Sequence, residues 1–126
     1  MFKGLENFGV GVDIESIDRF KNYIKPFEER LLNKIFTKTE LNYCFSTDNP
    51  ASHLAVRFAA KEAIFKALNS IKKSMIEYNN IEILNDEAGV PIVNFIIKDL
   101  RDYSVKLSLS HSENNAIAFV IIGVEK

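Results

Sequence analysis

RFAAKEAIFKAL, residues Arg57 to Leu68, sets Lys61, Glu62 and Lys66 among Phe, Ala, Ile and Leu. At about 100° per residue, Leu54, Phe58 and Phe65 fall within roughly 40° of one another, and Glu62 lies about 40° from Phe58. The spacing predicts a helix that packs by its aromatic face and carries a carboxylate on that face. Lys66 follows Glu62 by one turn at the edge of the arc, and Lys61 falls at the opposite edge. A Glu–Lys pair one turn apart stabilises a helix by only about 0.2–0.5 kcal/mol, and its stems readily cover apolar surface. The helix pattern alone therefore reads as an ordinary surface bridge.

The segments on either side set the helix in a fold. TDNPAS (Thr47 to Ser52) is rich in turn formers, and Pro50 is tolerated only before or at a helix start, so the helix is expected from about Ser52 to about Leu68. Upstream, FGVGVDI (Phe8 to Ile14) reads as a short interior strand that delivers a carboxylate to a sheet edge. Ile17, Phe20 and Ile24 then recur at helical spacing behind Ser16 as N-cap, and PFEERLLNKIF is a second helical stretch opened by Pro26. Thr37 to Glu40 has capping-box spacing. Downstream, Ile81–Leu84 and Pro91–Ile97 flank the turn NDEAGV as one hairpin, and Lys106–His111 pairs across SENN with the apolar stretch after it as another. The expectation is a single α+β domain over residues 1–126, an antiparallel sheet packed on a long central helix.

With 126 residues, 47% of them hydrophobic, the chain can bury a core without cross-links. Its 16 basic and 17 acidic side chains nearly cancel, which argues against a general nucleic-acid or anionic-membrane binder and leaves charged partners to local patches. Cys44 is the single cysteine and forms no internal disulfide. No basic segment followed by an apolar one opens the chain, so a cytoplasmic protein is expected. AIAFVIIGV (Ala116 to Val124), the longest apolar run, is roughly half of what a membrane-spanning helix needs and reads as a buried strand.

A second acidic cluster changes the weight of Glu62. Asp13 and Glu15 are two apart, so in an extended stretch they point to one side, and such a pair repels unless a cation compensates. Mg²⁺ takes a few carboxylate oxygens and keeps positions for water and substrate phosphates, which suits a strand-end Asp with a helical Glu. Taken alone, the residues fit both that site and a solvated turn with an N-cap. His111 by itself reads as a strand-end histidine.

In their order along the chain, the fragments resemble the 4'-phosphopantetheinyl transferases, specifically the short holo-acyl-carrier-protein synthase type. GVGVDIESIDRF is similar to that family's glycine-rich strand ending in Asp with an Arg six residues on, here Asp13 and Arg19. LAVRFAAKEAIFKAL matches its central helix, Gly89–Pro91 its Gly-x-Pro hairpin, and LSLSHS its Ser-x-Ser-His strand. The resemblance implies transfer of the 4'-phosphopantetheine arm of coenzyme A to a serine of an apo acyl, peptidyl or polyketide carrier protein, releasing 3',5'-adenosine bisphosphate. It implies Mg²⁺, or Mn²⁺, held by Asp13 and Glu62, with Glu15 a third candidate, and proton removal by Glu62 or Lys66. It implies coenzyme A contacts from Lys61, Lys66, Ser110 and His111, carrier-protein contacts from Arg19, Lys21 and Lys25, and a homotrimer with active sites between subunits. The family's usual Gly-Thr-Gly loop after the central helix is replaced by NSIKKS. The alternative is a non-catalytic relative that binds a carrier protein or nucleotide.

Overall fold

Helix α3 (Pro50–Ser70) organises the molecule. It starts where Asn49 Oδ1 accepts from the Ser52 amide at 3.4 Å and Pro50 fills the first turn, and it ends two residues beyond Leu68. The computed structural model describes residues 7–23, 30–71 and 76–124. Before α3 come β1 (Phe8–Ser16), a 3₁₀ turn (Ile17–Phe20), α1 (Arg30–Ile35) and α2 (Lys38–Phe45). After it come a 3₁₀ turn (Tyr78–Asn80), the hairpin β2 (Ile81–Asn85) and β3 (Pro91–Phe95), and the hairpin β4 (Tyr103–His111) and β5 (Asn115–Val124).

Two sheets result, both antiparallel: β1-β5-β4, and the separate pair β2-β3. Both expected hairpins are present, but β1 lies at an edge beside β5 rather than in the interior. The pleat explains how an apolar strand occupies an edge. Gly9 and Gly11 face inward, and a Cβ there would lie 2.1 Å from the Ala67 carbonyl oxygen and 1.9 Å from that of Ala63. The β1 backbone thus rests directly on α3, glycine against alanine, where any side chain would hold the two apart.

This contact corrects the expected packing of α3. Its sheet-facing residues are alanines, including Ala63 and Ala67, which meet the buried β5 residues Ala118, Val120 and Ile122 in one cluster. Phe58 and Phe65 instead pack on Tyr78, with ring centroids at 5.6 and 4.8 Å, and Phe58 also meets Phe20 at 5.8 Å. α3 is buried on most of its circumference, not along a single arc.

The expected helix at Ser16 is a four-residue 3₁₀ turn, and Ser16 makes no side-chain cap bond. Ile24 and Pro26 lie outside the described residues. The capping box is present: Thr37 Oγ1 accepts from the Glu40 amide at 3.2 Å, and Glu40 Oε1 from the Thr37 amide at 2.9 Å. In the β2–β3 turn, Asp86 Oδ1 accepts from the amides of Ala88 and Val90, both at 2.9 Å, and Gly89 takes a φ of 82°. No helix among the described residues is long and apolar enough to cross a membrane.

Candidate active site

The inward face that β1 leaves bare at Gly9 and Gly11 carries carboxylates at its next two positions. Asp13 and Glu15 alternate with exposed Val12 and Ile14 and therefore point toward the helix side of the sheet. Glu62 reaches the same corner from α3. Each acid has a different partner. Asp13 Oδ1 accepts from Lys66 Nζ at 3.2 Å, and Lys66 also donates to the Val12 carbonyl at 3.0 Å. Glu15 accepts from Arg19 Nη1 at 3.3 Å, and Glu62 accepts from the Tyr78 hydroxyl. The Arg19 guanidinium lies 4.9 Å above the Phe58 ring.

The corner carries an excess of negative charge. Burial pushes the Glu15 carboxyl up to about 7; the neighbouring Asp13 and the Glu62 charge push the same way, and only Arg19 opposes them. Burial and Glu62 likewise raise the Tyr78 phenol to about 12. Asp13 Oδ2 is buried with no hydrogen-bond partner. A proton carried by Glu15, or a cation, completes that oxygen.

Hard oxygen donors, an orphaned carboxylate oxygen and mutual repulsion fit a Mg²⁺-type ion. Among the described residues no three His, Cys, Asp or Glu side chains form a ready-made cage. Mg²⁺ requires none, because it is commonly held by one or two carboxylates plus water and substrate phosphate.

A second constellation occupies the other flank of α3. His53, Arg57 and His111 line a cleft of about 530 Å³ that Asn85 and Gly89–Pro91 of the β2–β3 hairpin also border. Arg57 is only 3% exposed, stacks 4.6 Å over the Tyr43 ring, donates to the His53 carbonyl at 3.4 Å, and keeps a buried Nε without a partner. Among the described residues it has no carboxylate partner. The His53 ring meets Tyr43 edge-on at 5.5 Å. Burial lowers the His53 pKa, and the positive charges of Arg57 and His111 lower it further. A buried guanidinium and two imidazoles without a counter-charge suit an anion such as a phosphate.

The sequence-expected residues divide between these places. Asp13, Glu15, Glu62, Lys66 and Arg19 come together. His111 does not join them: its partner across the sheet is Ala116, whose other neighbour is Glu15, so two strand spacings, about 10 Å, separate the two backbones. Around α3, Glu62 stands about 180° from His53 and about 140° from Arg57, with the helix body between. Ser110 borders the cleft, but the pleat pairs it with the outward residue Ile117, on the face opposite His111. Lys21 is exposed and pairs with Asp18 at 2.7 Å, and Lys25 lies outside the described residues, as do Lys72 and Lys73 of NSIKKS.

Lys61 corrects the expectation of a coenzyme A contact. It is fully buried, with its ammonium donating to Glu40 Oε1 at 2.6 Å, the Ile35 carbonyl at 2.7 Å and the Tyr78 carbonyl at 3.1 Å. All three protons are engaged, so nothing remains for a ligand. The sequence reading missed Tyr78, His53 and Arg57 as site residues. His53 and Arg57 carried one faint signal, a His and an Arg one turn apart on the flank opposite Glu62; Tyr78, in a loop-like stretch, carried none.

Residues 9–120 match the 4'-phosphopantetheinyl transferase superfamily. A holo-(acyl-carrier-protein) synthase of Thermodesulfovibrio yellowstonii is 43% identical over 116 residues, 90% of this chain and 96% of the relative. The Neisseria meningitidis holo-(acyl-carrier-protein) synthase structure superposes with a TM-score of 0.74 at 32% identity, covering 94% of this chain and 98% of that one. The Helicobacter pylori enzyme, solved in complex with coenzyme A, gives a TM-score of 0.75 at 27% identity over 90% of this chain and 99% of its own.

Proposed function

The chain belongs to the 4'-phosphopantetheinyl transferase superfamily, and from that membership we propose that it is a holo-acyl-carrier-protein synthase acting in the cytoplasm as a single domain. It transfers the 4'-phosphopantetheine of coenzyme A to a serine hydroxyl of an apo carrier protein. The observation that carries this reading is the acidic corner at the end of β1, where the charges of Asp13 and Glu62 act on Glu15 and the buried Asp13 Oδ2 lacks a partner.

Asp13 and Glu62 would hold Mg²⁺ or Mn²⁺, with Glu15 as a third ligand. Such an ion, when bound, would supply charge neutralisation at the pyrophosphate. The serine oxygen attacks the phosphorus that bears the pantetheine arm, the bond to the bridging oxygen breaks, and 3',5'-adenosine bisphosphate leaves with the electron pair. Lys66, already donating to Asp13, brings an ammonium to the phosphates, and Glu62 accepts the serine proton. Arg57, His53 and His111 hold the phosphate at the adenosine end. Catalysis then comes mainly from position and charge. Arg19, Lys21 and Lys25 meet an acidic carrier surface and set association rate and partner choice.

The site is completed between copies of the chain. Corner and cleft lie on opposite flanks of α3, which supports a pairing of one copy's corner with a neighbour's cleft. The outer sheet face offers the contact: Val10–Ile121, Val12–Phe119 and Ile14–Ile117 are cross-strand pairs of exposed apolar side chains. A closed ring of three copies buries that face.

The test is mass spectrometry of a panel of apo carrier proteins incubated with the protein, coenzyme A and Mg²⁺. One carrier gains a phosphopantetheine, and Glu62→Gln and Lys66→Ala each slow the gain by about 10²–10⁴-fold. If no carrier gains mass while a known transferase labels the same panel, the protein is a non-catalytic binder.

A further inference from the structure

We propose that Tyr78 is a positioning residue for the acidic corner: its hydroxyl holds one carboxylate oxygen of Glu62 and leaves Oε2 as the oxygen offered to a divalent cation. The proposal rests on the reading of Glu62 as a metal ligand. A glutamate beside Asp13 and Glu15 has every electrostatic reason to swing away from them, and its side chain has the rotamer freedom to do so. The Tyr78 hydroxyl is the donor that opposes this, and it is the one hydrogen bond of the Glu62 carboxylate among the described residues.

Tyr78 is itself held in three ways. Its ring packs between Phe58 at 5.6 Å and Phe65 at 4.8 Å, residues one turn before and nearly one turn after Glu62 on α3. Its carbonyl accepts from Lys61 Nζ at 3.1 Å, and Lys61 is fixed in turn by buried Glu40. Its 3₁₀ turn is closed by the Asn80 side chain on the Glu77 amide at 2.9 Å and tied to the strand side by the Ile96 amide on the Asn80 carbonyl at 2.8 Å. The core pair Glu40–Lys61 thus acts on the corner at one remove. It fixes the backbone of the residue whose hydroxyl fixes Glu62. Partners of this type, one step out from a metal ligand, orient the ligand and tune its affinity.

Tyr78→Phe tests this cleanly, because it keeps the ring contacts and the main-chain bond and deletes only the hydroxyl. Mn²⁺ binding to the protein, without coenzyme A or carrier, is followed by electron paramagnetic resonance alongside the thermal midpoint of the metal-free protein. Tyr78→Phe weakens Mn²⁺ binding by roughly tenfold to a hundredfold. In turnover it raises the metal concentration needed for half-maximal rate, while KM for coenzyme A at saturating metal stays within about twofold. Glu62→Gln loses binding at least as strongly, and adding Tyr78→Phe to it causes no further loss, since the two act through one contact. Unchanged Mn²⁺ affinity in Tyr78→Phe with weakened affinity in Glu62→Gln overturns the role of Tyr78 alone. Wild-type affinity in Glu62→Gln overturns the ligand assignment, and the proposal with it.

Discussion

Lys61 stands one residue before the proposed ligand Glu62, yet its work is internal. Its ammonium is pushed down by burial and held charged chiefly by Glu40, which also caps α2 and accepts from the Ile83 amide at 2.9 Å. One carboxylate thereby joins α2, α3 and β2. Lys61→Met leaves Glu40 buried and unpaired, and urea unfolding should show a loss of about 3–5 kcal/mol; Glu40→Gln added to it recovers a large part, because the stranded charge is gone. His53 answers to charge in another way. Burial, Arg57 and His111 all lower its pKa, so the folded protein favours the neutral ring, and its contribution to stability fades as pH falls through the ordinary histidine range. A bound phosphate reverses that preference. Coenzyme A binding should therefore take up protons and tighten from about pH 8 to about pH 6, and His53→Phe should flatten the trend in titration calorimetry run in two buffers of different ionisation enthalpy.

At the scale of elements, what was legible in the sequence was what each segment does alone. The capping box at Thr37, the turn around Gly89 and the two-residue period of β4 are local chemistry, and each is present in the structure. The seat of α3 was not legible. A reader of periodicity looks for the apolar side, and in β1 the apolar side is the one turned outward, while the side that packs consists of glycines with no hydrophobic signal. Arg57 and Tyr78 were hidden for a related reason: their importance comes from neighbours on other elements. Gly11→Ala drives a methyl toward the Ala63 carbonyl oxygen, and neither backbone yields easily. Chemical denaturation should record a loss of about 1–3 kcal/mol. Gly89→Ala meets nothing within 4 Å and suffers only from its positive φ, so its loss should be smaller, about 1 kcal/mol. Gly11→Ala should also lower activity, because Asp13 lies two residues along the same displaced strand.

For the whole molecule, the division of chemistry between the two flanks of α3 makes a genetic-style prediction. Glu62→Gln and His111→Ala should each impair activity, one in the corner and one in the cleft. Unfolded together and refolded as a mixture, they should regain activity, since some interfaces then join an intact corner to an intact cleft. A mixture no more active than its parents would place the whole site within one copy. The outer face of β1 and β5 has a thermodynamic corollary. If those valines, isoleucines and Phe119 leave water only when copies meet, then part of what keeps each chain folded is a bimolecular term. The melting temperature should climb with protein concentration, and a sample diluted far enough should lose secondary structure along with its size.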